Sequence, residues 1–275
     1  MCHQERVQSA LTEAIVSLHE PVAAGMRQMV LSSSVWRGDD PYPGQFIMLR
    51  VAEDSDPLLA RPFGISGFQR KGEGADVEIM YRVVGRGTRV MERWRSGQSA
   101  TFLGPLGRGF ILPPEGTSSL LVAGGAGLPP LLALARKMQA LGRVGELSLI
   151  YGEASSDRLV DLGRDLFPGV ETATCTEDGS CGTRGLVTGL LEAKDNGEGS
   201  HLFVCGPNPM MKAVMDLAAH RCLSAQYSLE ARMACGFGVC SGCAAQLASG
   251  DYVRVCREGP VFNGSELALH SFGEV

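Results

Sequence analysis

The sequence predicts a multi-domain β + α/β chain. Its parts are an N-terminal antiparallel β-barrel over residues 14–113, a doubly wound parallel α/β domain over 114–224 and a small cysteine-bearing module over 225–275. Three observations carry that prediction. The first third breaks into short alternating runs separated by glycine and proline turns, the pattern of a strand-rich barrel. A continuous apolar run, Ser119–Ala123, then leads through a glycine turn into an apolar helical stretch, as a buried parallel strand leads into its crossover helix. Last, four of the nine cysteines crowd into positions 235–256.

A chain of 275 residues suffices for two domains and an appended module. The net charge of −5, with both signs scattered and no basic run, argues against a nucleic-acid partner. The first residues, MCHQERVQSALTEAIVSLHEP, lack a basic segment followed by an apolar one, so no signal peptide is read. The most apolar stretch, Leu120–Ala135, is broken by three glycines and two prolines and is too short to span a bilayer. A cytoplasmic protein is expected, with cysteines used for metal ligation and as buried thiols rather than as disulfides. Cys2, Cys175, Cys181 and Cys222 read as ordinary thiols.

Within the barrel, the runs EAIVSLHEPV, MRQMVLSSSV, GQFIMLRV, DVEIMYRVVG and QSATFLGPLG are separated by turns at 37–41 and 71–74. Two segments carry chemistry. Arg61-Pro62-Phe63-Gly64-Ile65-Ser66 sets a guanidinium beside an aromatic, and Gly85-Arg86-Gly87-Thr88 follows a strand into a helix expected over Thr88–Trp94. An arginine grips a pyrophosphate through two N–H groups, and a Gly-Thr turn at a helix start offers backbone N–H groups to the same anion. Either segment alone reads as a plain turn; together they describe a dinucleotide held on a barrel.

In the second domain, GGAGLPP at Gly124, Gly125, Gly127 and onward lets a diphosphate approach the backbone, and Cys205-Gly206-Pro207 closes a later strand of the same sheet. Strands are also expected over 146–151, 170–174 and 201–205, with a helix near 159–166. Glu153, at the end of the second strand, suits ribose hydroxyls and so favours NAD, while Arg158 and Arg164 leave NADP open.

The third part holds Cys235, Cys240 and Cys243 as C-x4-C-x2-C among glycines, with Cys256 following. This is the ligand spacing of plant-type [2Fe–2S] centres, in which a glycine-rich loop turns backbone N–H groups toward anionic sulfurs. Zinc, which more often uses two separated pairs, remains the alternative, as a non-catalytic zinc-binding or redox-sensing module.

The RPFGIS and GRGT segments resemble the flavin-binding domain of the ferredoxin-reductase superfamily. That resemblance implies FAD contacts from Arg61, Pro62, Phe63, Gly64, Ile65, Ser66, Gly87 and Thr88, with Tyr81, Arg82 and Val83 alongside. The superfamily often has Ser or Thr where this chain has Gly64, so the corresponding contact is expected from Ser66 or from backbone. GGAGLPP and the Cys205-Gly206-Pro207 end resemble its pyridine-nucleotide motifs. The order of parts follows from the chemistry: nicotinamide moves a hydride pair, an iron–sulfur cluster moves single electrons, and flavin does both. No acid–base pair for an organic substrate is found, so that substrate is expected on a partner.

From about residue 14 onward the arrangement is similar to the electron-transfer subunits of class 1B dihydroorotate dehydrogenase. SLEARMACGFGVCSGC and the YVRVCREGPVF tail are the most specific signs. The resemblance implies FAD and [2Fe–2S] on this chain and an FMN-containing catalytic subunit as partner, two of each forming a heterotetramer. Dihydroorotate would be oxidised to orotate on that partner, with electrons passing from FMN to cluster to FAD to NAD. Residues 1 to about 13 fall outside the resemblance and read as a frayed extension. The partner surface is expected beside Phe237 and Val239. A rival with the same cofactors is a diaphorase subunit of a sulfide dehydrogenase, hydrogenase or bifurcating transhydrogenase.

Overall fold

The computed structural model describes residues 8–52, 56–165, 169–194 and 199–272. Six strands close a barrel in the order β1-β2-β5-β4-β3-β6, every pairing antiparallel. They are β1 (Ala10–Ala23), β2 (Met26–Ser33), β3 (Phe46–Arg50), β4 (Arg61–Lys71), β5 (Gly74–Arg82) and β6 (Ser99–Leu106). Alternation along them sends Val16, Met29, Leu31, Ile47, Leu49, Val77, Ile79 and Phe102 into one apolar interior. Residues 10–13 are not a frayed extension: Ala10 to Glu13 pair with Gly104 to Thr101 and close the barrel. A short helix, α1 (Arg86–Glu92), follows β5. It begins two residues earlier than expected because the Thr88 hydroxyl, at its third position, accepts the backbone N–H of Gly85 at 3.0 Å.

The second layer is a sheet of seven strands in the order β10-β9-β8-β7-β11-β12-β15. Here β7 is Ser119–Gly124, β8 Leu147–Glu153, β9 Glu171–Thr176, β10 Thr183–Arg184, β11 His201–Cys205, β12 Ser224–Ser228 and β15 Val261–Asn263. All pairs are parallel except β12 with β15. Helices α2 (Leu128–Ala140), α3 (Leu162–Asp165), α4 (Val187–Ala193) and α5 (Asn208–His220) connect the strands. The order reverses beside β7, so the β7 and β11 ends form the crevice where such sheets take nucleotides. No helix among the described residues is long and apolar enough to cross a membrane.

The cysteine segment is less separate than the sequence suggests. The boundary expected at 224/225 falls inside β12, and after the hairpin β13 (Ala244–Gln246) and β14 (Tyr252–Arg254) the chain returns to the large sheet through β15. The linker between barrel and sheet is held by Arg143, buried to 8% exposure. It donates to the carbonyls of Pro113 and Pro114 at 3.1 and 3.0 Å and to Glu146 at 2.6 Å.

Candidate functional site

Three groups of residues, far apart in sequence, meet around the start of β4. The first joins its start to the turn before α1. A Cβ at Gly87 would stand 3.0 Å from Nε of Arg61, so the two segments expected to share an anion are in contact. Arg61 is steadied by donating from Nη1 to the Leu59 carbonyl at 2.6 Å. The Thr88 hydroxyl accepts from Val84 N and Gly85 N and donates to the Gly85 carbonyl, so it shapes the turn rather than facing out of it.

Burial divides the rest of that segment. Phe63 is partly exposed, its ring 5.6 Å from that of Tyr81. Ile65 points into the barrel at 2% exposure. Ser66 corrects the sequence expectation. It is fully buried, its hydroxyl donates to Glu78 at 2.8 Å, and its carbonyl accepts from Arg136 of α2 at 2.9 Å, so its hydroxyl lies away from the Arg61 surface. Ser66 sits at an irregularity of β4, between Ile65 paired with Ile79 and Gly67 paired with Glu78, which sets its hydroxyl beside Glu78. Tyr81 is also internal; burial pushes its phenol up, and its OH lies 2.9 Å from Nε2 of His19. Burial lowers the His19 pKa, outweighing the opposing effect of its bond to Trp94. The neutral ring donates from Nδ1 to the Trp94 carbonyl and accepts at Nε2 from Arg27, a tautomer inferred from its bonding. The backbone N–H of Val83 is held by the Gly25 carbonyl at 2.8 Å.

The second group is a cleft of about 940 Å³ at the ends of β7, β8 and β11, a size within the range of ligand sites. Gly124, Gly125, Gly127, Glu153, Gly206 and Pro207 line it. The two motifs behind it touch: a Cβ at Gly127 would overlap the Cys205 carbonyl and stand 2.5 Å from N of Gly206. Cys205 pairs with Ala123 across β7 and β11 and is buried, which raises its thiol pKa; Glu230 adds to that and the neighbouring Ser228 opposes it.

Glu153 and Arg82 depart from expectation together. Arg82 leaves the barrel strand to ion-pair with Glu153 instead of running beside the flavin segment, and the Tyr151 hydroxyl donates to the same carboxylate oxygen at 3.0 Å. The sequence reading placed these residues in separate cofactor sites because the pairing spans 71 positions and two domains. Arg158, Glu177, Lys212 and Glu230 also line the cleft, and only Arg158 was flagged by its sequence position. Glu230 opens to the cleft yet is enclosed by protein, and that desolvation raises its carboxyl pKa. The Arg164 side chain lies outside the described residues.

The third group is the cysteine loop. Cys235 lies against Cys240, and Cys256 against Cys243. Backbone N–H groups point at the sulfurs: Cys240 N at Cys235 Sγ, 3.5 Å; Gly242 N at Cys240 Sγ, 3.5 Å; Cys256 N at Cys243 Sγ, 3.4 Å. Burial raises the Cys235 thiol, but the N–H groups of Cys240 and Phe237, the Cys240 thiol and the N–H of Val239 more than offset it and bring it to about 6. Cys256 is pushed up to about 12 by burial and by the adjacent Cys243. Two pairs of thiols with inward N–H donors fit two irons carrying two thiolates each, a less natural arrangement for one tetrahedral zinc. Phe237 and Val239 on the same loop are exposed.

One stretch of β4 connects all three. Pro62 pairs with Met48 of β3, and Met48 supports the cysteine loop, its Sδ 2.6 Å from where a Cβ of Gly236 would be. Two residues on, a Cβ at Gly64 would meet Pro130, just beyond the glycine turn, at 3.6 Å. Arg61–Gly64 therefore lies between the cysteine loop and the nucleotide crevice.

Comparison with known proteins adds the following. The family described as the iron-sulfur cluster binding domain of dihydroorotate dehydrogenase B matches residues 230–268, and the oxidoreductase NAD-binding domain family matches residues 121–216. A protein of Caldanaerobacter subterraneus named as the electron transfer subunit of dihydroorotate dehydrogenase B (NAD(+)) is 37% identical, covering 84% of this chain and 89% of that one. One of the same name from Fusobacterium nucleatum is 39% identical, covering 82% and 87%. Among solved structures, an NADH-dependent reduced ferredoxin-NADP oxidoreductase superposes with a TM-score of 0.79 at 24% identity, covering 94% of this chain and 91% of that chain. The FAD/NAD-binding domain of a nitric oxide dioxygenase from Vibrio cholerae gives 0.67 at 18% identity, covering 78% and 97%. These last two likenesses speak to the fold.

Proposed function

The chain belongs to the family of dihydroorotate dehydrogenase B electron-transfer subunits, and from that premise we propose how its three regions act in series. It is the electron-transfer component of an oxidoreductase, with FAD, a [2Fe–2S] cluster and NAD as its redox groups. Bound flavin exchanges a hydride pair with nicotinamide and single electrons with a cluster, which is what joins the two ends. Arg61 and the Gly85–Thr88 turn hold the flavin's pyrophosphate, Phe63 and Gly64 border its ring, and Tyr81 stiffens the wall behind Phe63. Gly124, Gly125, Gly127, Gly206 and Pro207 let the NAD diphosphate reach backbone N–H groups. Cys205 and Glu230 border its reactive end. Cys235, Cys240, Cys243 and Cys256 hold the cluster.

The observation that carries this reading is the placement of Arg61–Gly64, with the Met48-supported cysteine loop on one side and Pro130 on the other. Electron tunnelling falls steeply with distance, so a flavin held by this segment is where the two routes can meet. The partner is an FMN-containing catalytic subunit that oxidises dihydroorotate to orotate in the cytoplasm. It meets the face around Phe237 and Val239, in an assembly of two of each chain. Co-purification tests this. Recovery of an FMN subunit with dihydroorotate-oxidising activity supports it, and recovery of a hydrogenase-like or glutamate-synthase-like subunit overturns it.

A further inference from the structure

On the reading that the four cysteines hold a two-iron cluster, we propose that Arg254 is a positioning residue. It fastens the strand carrying Cys256 to the three-cysteine loop, and with Glu258 it sets the cluster's reduction potential, the two charges acting with opposite sign. Arg254 ends β14 and pairs with Ala244, the residue after Cys243. Its Nη1 donates to the Gly238 carbonyl at 2.8 Å, midway along the loop from Cys235 to Cys240. Its Nε and Nη2 grip the two carboxylate oxygens of Glu258 at 3.1 and 2.7 Å, and its backbone N–H donates to the same group at 2.8 Å. One guanidinium thus joins both ligand-bearing segments.

Backbone donors also link those segments: Val255 N to the Cys243 carbonyl at 3.0 Å, Cys256 N to Cys243 Sγ at 3.4 Å, and the Gly238 N–H to the Cys256 thiol. The guanidinium's planar fork is what lets one side chain reach a carbonyl and a carboxylate together; a lysine ammonium has no such geometry. Gly238 takes a left-handed φ of +88°, and a Cβ there would stand 2.7 Å from Cδ of Arg257, so its carbonyl is fixed toward Arg254 by a turn that excludes side chains.

The electrostatic consequence follows from charge alone. A cluster on four thiolates gains one negative charge on reduction, so a nearby cation favours the reduced form and a nearby anion the oxidised form. Arg254 and Glu258 offset one another, while Arg257, its Nε 3.8 Å from the same carboxylate, is unchanged in every variant. The Arg254 and Glu258 side chains are 31% and 27% accessible, so salt weakens the effect without abolishing it.

The test is an EPR-monitored dithionite titration of the full chain, loaded with FAD and cluster, at low and high salt. Glu258→Gln is expected to raise the potential and Arg254→Gln to lower it, with the double variant back near the parent. Arg254→Lys, which keeps the charge without the fork, is expected to stay closer to the parent in potential yet lose iron to a chelator several-fold faster. Thermal melting and bound flavin report the fold. If Arg254→Gln fails to retain iron, Glu258→Gln and Arg254→Lys still carry the sign. Single variants that retain iron and shift the potential in the same direction, or not at all, overturn the proposal. A parent protein that holds zinc and shows no reduced-cluster signal overturns instead the ligand reading on which it rests.

Discussion

Replacing Gly127 with alanine should separate the two nucleotide motifs without touching the flavin segment. Its φ of −79° and ψ of −5° suit any residue, so the added methyl brings no backbone strain. The cost is steric. The methyl would overlap the Cys205 carbonyl and stand 2.5 Å from Gly206 N, where ordinary contact begins at 3.4 Å, and both neighbours are backbone that no rotamer change can move. Relief requires the β7–α2 turn to part from the β11–α5 turn by about 1 Å, a misplacement that can cost on the order of 10²-fold in rate. Overpacking of this kind destabilises by about 1–3 kcal/mol. Gly142→Ala is the control: its φ of +74° gives a strain penalty of about 1–2 kcal/mol, with no atom within 4 Å and no part in the cleft. Stopped-flow reduction of bound flavin by NADH, read beside thermal melting, separates the two effects. Gly127→Ala should keep its flavin and lose about 10²-fold in the second-order rate, while Gly142→Ala melts lower at the parent's rate. Parental flavin reduction in Gly127→Ala would refute the claim that the touching motifs form the nucleotide site.

Three further outcomes are expected. Cys240→Ser should lose the iron signal yet keep flavin and its reduction by NADH; loss of that reduction in a folded protein would break the serial order. Glu153→Gln leaves Arg82 opposite a neutral amide in a buried setting, a loss of about 3 kcal/mol in chemical denaturation, and an unchanged midpoint would mean that the pair contributes nothing. The bond from Arg143 holds the Glu146 carboxyl below its ordinary 4.5. Because the folded value is depressed, its contribution is full above the unfolded pKa and is lost as pH falls through the folded one. Acid unfolding below about pH 4.5 should therefore be shallower in Arg143→Met than in the parent, and equal slopes would remove Arg143 as the cause.

Local chemistry was the legible part. A run of short alternating strands announced the barrel, the apolar run into Gly124–Gly127 announced the sheet, and the cysteine spacing marked its loop because ligand geometry is written in adjacent residues. Contacts between distant segments were not legible. Nothing near Arg82 signals Glu153, and nothing near Val261 signals that β15 rejoins β12, since both depend on how two layers stack. Ser66 differed for another reason: the family resemblance implied a ligand hydroxyl, but the irregularity of β4 between Ile65 and Gly67 sets its side chain beside Glu78. The pairing of Ala10–Glu13 with β6 was missed because barrel closure joins the two ends of the domain, about 90 residues apart.

The most direct measurement of the central claim is dihydroorotate-driven NAD+ reduction by the purified chain recombined with the FMN-containing catalytic subunit proposed as its partner. NADH should form only when both chains are present, and substituting the Cys240→Ser chain should abolish it while flavin content stays at the parent's level. NADH formation at the parental rate with Cys240→Ser would contradict the claim that the cysteine loop is the one-electron entry to the flavin.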